Sequence, residues 1–215
     1  MSQEILNIAV DLETLSTRPT AAIISIAAKA FTFSEPQPQQ RPLYIPVNAT
    51  TCAMYGLHFS ADTIDFWHRQ SPEAKRPHLE LTDCCRSLKV ALTELKEWVA
   101  EVRNLSPDKK ILVWMQGTDF DGAILRNAYC QVFGSENAMP WKHTELRDSR
   151  TFIHGFVGYV RPDLPIPYAA IPDNPNWIKH DALSDCDQLI WNVRHSVLLL
   201  DDFIAARTPN ANSQG

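Results

Sequence analysis

The feature that most limits what this chain can fold into is the apolar run Ile5–Val10 (ILNIAV), which ends directly on an acidic pair, Asp11-Leu12-Glu13. The run reads as a buried strand. Residues two apart on a strand share a face, so Asp11 and Glu13 project together while Leu12 points the other way. Two carboxylates held so close repel each other unless a cation lies between them. The bland alternative is a solvated strand end.

The following segments supply neighbours for that strand. Ala21–Phe33 (AAIISIAAKAFTF) reads as a second strand, and the EPQPQQRP stretch around Pro36–Pro42 as a turn. Leu43–Val47 (LYIPV) reads as a third strand, which Pro46 assigns to a sheet edge. Thr63–Gln70 reads as a short helix ending near Ser71-Pro72. Thr82–Val102 carries Leu88, Leu92, Leu95, Val99 and Val102 at helical spacing, which predicts a long amphipathic helix with Cys84-Cys85 inside it. Ile111–Trp114 reads as a buried strand, Phe120–Phe133 and Asp148–Phe156 as helices, and Ala182 to about Ala206 as a final helix. Pro162–Trp177 holds five prolines and reads as a long loop, a length that in compact domains usually carries function. Three early strands followed by alternating helices and strands predict an α/β fold with a mixed sheet and helices on both faces. One domain over residues 1–207 is expected, with 208–215 as a frayed tail.

Two further acidic clusters lie far along the chain. In Trp114–Asp121 (WMQGTDFD) a strand ends, a turn follows and an acidic pair opens a helix. An Asp at a helix start commonly caps free backbone N–H groups. That role falls to Asp119, leaving Asp121 in the first turn to reach inward and Phe120 to pack on the core; the reverse assignment stays open. In His180–Asp185 (HDALSD), a spacing of five rotates a side chain by ~140° within a helix. His180 and Asp185 therefore converge only if His180 sits in the preceding loop and Asp185 on the helix. Asp181 is then the helix cap and Asp187 faces solvent.

The net charge of −5 argues at first sight against a nucleic-acid partner. A carboxylate cluster holding two divalent cations would, however, bring positive charge to the place where phosphate must bind, so the overall balance decides little. Five cysteines, an odd number with no CxxC pair, and no basic leader before an apolar stretch predict free thiols in a reducing, cytoplasmic compartment. No run approaches the ~18 apolar residues of a membrane span, so no membrane partner is expected.

Taken in order, the three acidic motifs resemble those of the DEDDh, or DnaQ-like, 3′-5′ exonucleases, which have a ribonuclease H-like fold. The family's DxE matches Asp11–Glu13 within DLETL. Its FD pair opening a helix matches Phe120-Asp121 within GTDFDGAILRNAY, and its H-x4-D matches His180 to Asp185 within HDALSDC. The likeness covers roughly residues 4–205. TIDFWHRQSPEAKR and ELRDSRTF look most like the branch of phage exonuclease A and the Rv2179c-like 3′-5′ exoribonucleases. WMQG departs from it, since relatives tend to have a smaller residue and an Asn there.

The resemblance implies that Asp11, Glu13, Asp121 and Asp185 hold two Mg²⁺ ions, with Mn²⁺ as a substitute. Hard cations suit oxygen ligands, and a pair ~3.5–4 Å apart clamps both sides of an in-line displacement. His180 is the implied general base, its reference pKa of ~6.5 leaving much of it neutral near pH 7. Thr14 is implied to hold the 3′-OH through its backbone and Leu15 to wedge against the last base, with core packing the other reading of Leu15. Arg126, Arg147, Arg150 and Lys179 are candidate phosphate contacts, and Trp67 and Trp114 candidate stacking surfaces; solvated charge and core are their bland readings. The implied substrate is the 3′ end of single-stranded or overhanging RNA or DNA, and the products are nucleoside 5′-monophosphates. No motif reports on the 2′-OH, so RNA and DNA are not distinguished. A homodimer rests on the resemblance alone. The rival reading is a non-catalytic nucleic-acid-binding or regulatory module on the same fold, against which stands the presence of all five site residues.

Overall fold

Strand β1 (Ile5–Thr14) sorts the molecule into two layers. Its Leu6, Ile8, Val10 and Leu12 belong to one buried cluster, and Ala9, between them, to another. Strands β2 (Ile23–Phe31) and β4 (Lys110–Met115) alternate in the same way: Ile24 and Ile26 against Ala27, and Ile111 and Val113 against Leu112. The first face is covered by α3 (Leu88–Leu105) and α4 (Ala123–Phe133), the second by α5 (Ser149–Val160) and α6 (Ala182–Arg207). A sheet buried on both sides needs apolar residues at nearly every position, which is what the early strands show. This computed structural model describes residues 5–33, 38, 40–72, 84–161, 163 and 171–207. The tail at 208–215 and most of the proline-rich loop, where two sequence expectations fall, lie outside the described residues.

The sheet has five strands in the order β3-β2-β1-β4-β5, with β3 at Leu43–Pro46 and β5 at Leu146–Asp148. β1 pairs antiparallel with β2 and parallel with β4. Pro46 lies in an edge strand, as its missing N–H requires. The register creates a notch. β1 stays paired with β2 as far as Thr14↔Ile23, but its ladder with β4 stops at Ala9↔Trp114. Beyond that point the last part of β1 has a free edge beside the carboxyl end of β4, the end at which open α/β sheets place their ligands.

Several boundaries differ from the sequence reading. β1 runs on through Thr14, so the acidic pair lies within the strand and not beyond its end. The helix expected over Thr82–Val102 begins at Leu88: Ser87 caps it through its Oγ, and Arg86 bridges to Val47 in extended backbone. Cys84 and Cys85 therefore precede the helix, Cys84 exposed and Cys85 half-buried. The segment predicted to start helically at Phe120 opens instead with one wide π turn, Thr118–Gly122, before α4. β5 was not foreseen; with Arg147 at its centre and three residues in all, it carries no apolar run to betray it. Among the described residues, two short helices, α1 (Thr50–Ala53) and α2 (Ala61–Arg69), lie between β3 and α3. All five cysteines are free thiols, and no helix among the described residues is long and apolar enough to cross a membrane.

Candidate active site

Asp11 and Glu13 stand on the same side of β1 as Ala9, the side covered by α6, while Leu12 is 4% exposed in the opposite core. Glu13 is 8% exposed and Asp121 3%. Asp121 reaches the notch because the π turn follows β4 directly; its carboxylate accepts a hydrogen bond from the Leu12 backbone, on the edge β4 leaves unpaired. Gly117, at φ +114°, turns the chain there, a conformation open to glycine and strained for other residues.

The third motif comes from the turn before α6. Asp181 N–H donates to Ile178 O at 3.2 Å, closing a β-turn whose third residue is His180 at φ +67°. Asp181 caps α6, accepting from Ser184 N at 2.8 Å. Asp185, one turn into the helix, is held at both carboxylate oxygens: Trp177 Nε1 donates to Oδ1 at 2.6 Å and His180 N–H to Oδ2 at 3.0 Å. Ligand atoms of Glu13, His180 and Asp185 all lie within 4.8 Å of one another. The His180 ring meets Phe66 edge-on at 5.1 Å between centroids and Trp67 at 6.2 Å. Trp67 in turn donates to Thr14 O at 2.9 Å, tying α2 to the end of β1.

The electrostatics show how closely the carboxylates crowd. Burial pushes the Asp11 carboxyl well above its ordinary range, and Asp121, Glu13 and Asp185 push it further. Burial raises Glu13 to about 9, reinforced by Asp185, Asp121 and Asp181. Asp121 is raised by burial to about 8, with Arg150 and the Leu12 hydrogen bond pulling the other way. Burial lifts Asp185 to about 6 against the hydrogen bonds from Trp177 and His180. His180 goes below its usual value, first through burial and then through neighbouring Lys179. The site therefore gathers four acidic side chains in want of positive charge beside an imidazole held neutral near pH 7. That is the donor chemistry of a hard divalent cation.

The other sequence-predicted residues fall as follows. Asp119 is exposed, and Gly117, the residue before the π turn, has no side chain with which to cap it. Asp148 does the capping expected of Asp119: it accepts from Thr118 N at 3.0 Å and from Thr151 N, in α5, at 2.8 Å. Asp187, expected in solvent, pairs with Lys29 on β2. Leu15 is 7% exposed in the core, and Thr14, 6% exposed, donates its hydroxyl to Ser16 O at 2.7 Å. Trp67 and Trp114 are 1% and 3% exposed, core residues both. Arg147 donates to the Thr144 and Leu146 carbonyls. The sequence reading missed Trp177, Phe66 and Asp148. A tryptophan three places before the motif histidine was the one available signal for the first.

Comparison with known proteins agrees with this geometry. The family model described as the 3′-5′ exoribonuclease Rv2179c-like domain matches residues 6–197. An exodeoxyribonuclease of Enterobacteria phage T4 is 25% identical over 209 residues, 87% of each chain. Among solved structures, the nuclease domain of 3′hExo, a DEDDh family member bound to rAMP, matches with TM-score 0.56 and 14% identity over 94% of each chain. E. coli exonuclease I in complex with a dA16 oligonucleotide matches with TM-score 0.54 and 15% identity over 95% of this chain. The chain spans 44% of that exonuclease I chain. At these identities the structural matches establish the fold, the ribonuclease H-like arrangement of the DEDDh exonucleases.

Proposed function

Given that the chain belongs to the Rv2179c-like 3′-5′ exoribonuclease family, we propose that it is a divalent-metal-dependent 3′-5′ exonuclease that removes nucleoside 5′-monophosphates from single-stranded or overhanging 3′ ends. The observation that carries this reading is the convergence of Asp11, Glu13, Asp121, Asp185 and His180, from three distant segments, on one notch in the sheet. The four carboxylates are the proposed metal ligands. Bound there, two Mg²⁺ or Mn²⁺ ions would supply the charge that stabilises the attacking and leaving oxygens of an in-line displacement.

The chain's own residues do the rest. An imidazole nitrogen of His180, neutral near pH 7, accepts the proton of the attacking water. The water oxygen bonds to phosphorus as the phosphorus–O3′ bond breaks, and the new 3′-OH takes its proton from solvent. Trp177 and the His180 N–H fix the rotation of Asp185, so its remaining lone pairs point one way. In this proposal the Thr14 backbone holds the terminal 3′-OH, and Leu15, buried in the core, backs it.

The test is a time course on matched 5′-labelled RNA and DNA, single-stranded and with 3′ overhangs. Wild-type protein shortens the label one nucleotide at a time with Mg²⁺ or Mn²⁺, and Asp121→Asn abolishes the shortening. Pure wild-type protein inert on every substrate overturns the proposal.

A further inference from the structure

Beside the notch, two cavities adjoin along α4. The nearer, ≈ 330 Å³, is lined by Thr118, Arg126, Asn127, Cys130 and Glu136. The farther, ≈ 680 Å³, shares Arg126 and Glu136 and continues past Trp141, Lys142 and His143. Thr118, in its wall, opens the π turn that carries Asp121 three residues later, which brings the nearer cavity close to the proposed active site. The step between them is marked by Arg150. A Cβ built on Gly117 would lie 3.0 Å from Arg150 Nη1 and 3.2 Å from Asp119 Oδ1, so the guanidinium lies against the glycine backbone at the mouth of the notch.

The lining has a definite charge pattern. Arg103 is engaged bidentately by Glu145, at 2.7 and 3.1 Å. Arg126 and Lys142 form no ion pair with another described residue, which leaves two cations against the one carboxylate of Glu136. In the two walls, Asn127 Nδ2 and Trp141 Nε1 are buried donors without a hydrogen-bond partner among the described residues, an uncommon state for buried polar groups. Cations and surplus donors suit an acceptor-rich, anionic ligand. The combined space, with its near end at the turn that carries Asp121, suits several nucleotides in single file.

We propose that these two cavities form one groove that holds the substrate strand on the 5′ side of the bond to be cut, with Arg150 at its mouth, Arg126 midway and Lys142 at its far end. This rests on the exonuclease reading and deepens it: the preferred substrate is a single strand several nucleotides long. Glu136, at the seam, works against passing phosphates and limits the affinity. A free mononucleotide shares the same chemistry and is the alternative occupant.

The experiment is fluorescence anisotropy with 5′-fluorescein oligonucleotides of two, four and six residues whose linkages are phosphorothioates, in Ca²⁺, with AMP as competitor. Wild-type affinity rises with length. Arg126→Ala and, independently, Lys142→Ala weaken the six-residue strand about fivefold to tenfold, leave the two-residue strand unchanged and lower the salt slope by ~0.7 each. Glu136→Gln tightens the longer strand. Affinity independent of length, equal losses on short and long strands, or displacement of the long strand by AMP from a site that the Arg126 and Lys142 variants leave intact overturns the groove. Binding and cleavage separate the two claims. Length-dependent binding without hydrolysis removes the catalytic reading and keeps the groove; hydrolysis with length-independent binding does the reverse.

Discussion

His180 pays a conformational cost where it stands: φ +67° is a left-handed backbone that L side chains other than Asn and Asp seldom enter. Its own N–H bond to Asp185 and its edge contact with Phe66 hold it there. Strain at a residue inside a carboxylate cluster is a mark of function more than of folding. His180→Asn therefore separates the two roles, because Asn tolerates this conformation while lacking a base. Turnover should fall by about 10²- to 10⁴-fold, while the melting temperature stays level or rises. A variant that melts much earlier and retains its rate would make His180 a structural residue. At this scale the sequence disclosed chemistry better than support. The spacing from His180 to Asp185 could be read as loop-then-helix, and Asp181 as the cap. Trp177 could not be placed, because its partner is chosen by how the preceding turn folds back. Asp148 could not be placed either, because a cap for Thr118 that lies 30 positions away leaves no local pattern.

The π turn and α5 begin side by side because one carboxylate serves both. Asp148 ends β5, accepts from Thr118 at the start of the turn that bears Asp121, and accepts from Thr151 in the first turn of α5. Those backbone bonds, with Arg150 close by, outweigh its burial and hold its carboxyl below the usual range. Asp148→Ala should cost about 1–3 kcal/mol of stability, read from denaturant unfolding, since both caps are lost together. It should also reduce activity on any substrate, because the turn that delivers Asp121 loses its anchor. Unchanged activity at lowered stability would show that the turn holds without it. The two features that escaped the sequence reading did so for different reasons. β5 is too short to carry an alternation, and the start of α3 is decided by Ser87 and by the Arg86–Val47 bridge, not by the apolar spacing that continues upstream of it. The long apolar strands and the core face of α3 were legible because burial on both sides of a sheet leaves a dense signature.

Across the whole molecule, the net charge of −5 is unevenly distributed, with several of its carboxylates sealed into one notch. In the metal-free protein this has a predictable pH dependence. Asp121 moves from 3.8 to about 8, Glu13 from 4.5 to about 9 and Asp185 from 3.8 to about 6. Folded protein thus keeps protons that the unfolded chain releases, so stability falls as pH rises between those limits. The stability these groups contribute is complete below pH ~4 and lost by about pH 9. Glu145 and Asp148, both lowered, act oppositely, but only below their ordinary values near pH 4. His180, lowered as well, acts below ~6.5. From pH 6.5 to about 8 the notch should therefore dominate, with the buried Cys52 and Cys186 thiols, both raised by burial, adding to the same slope above that, and the melting temperature of EDTA-treated protein should drop across the whole range to pH 9. Saturating Mn²⁺ should raise it most at the alkaline end, because binding displaces protons that are already leaving. Asp121→Asn should flatten the metal-free slope and shrink the Mn²⁺ shift together. A melting temperature level from pH 6.5 to 9, with no response to Mn²⁺, would mean that these carboxylates do not share a site, and both the metal and the exonuclease chemistry built on it would fall.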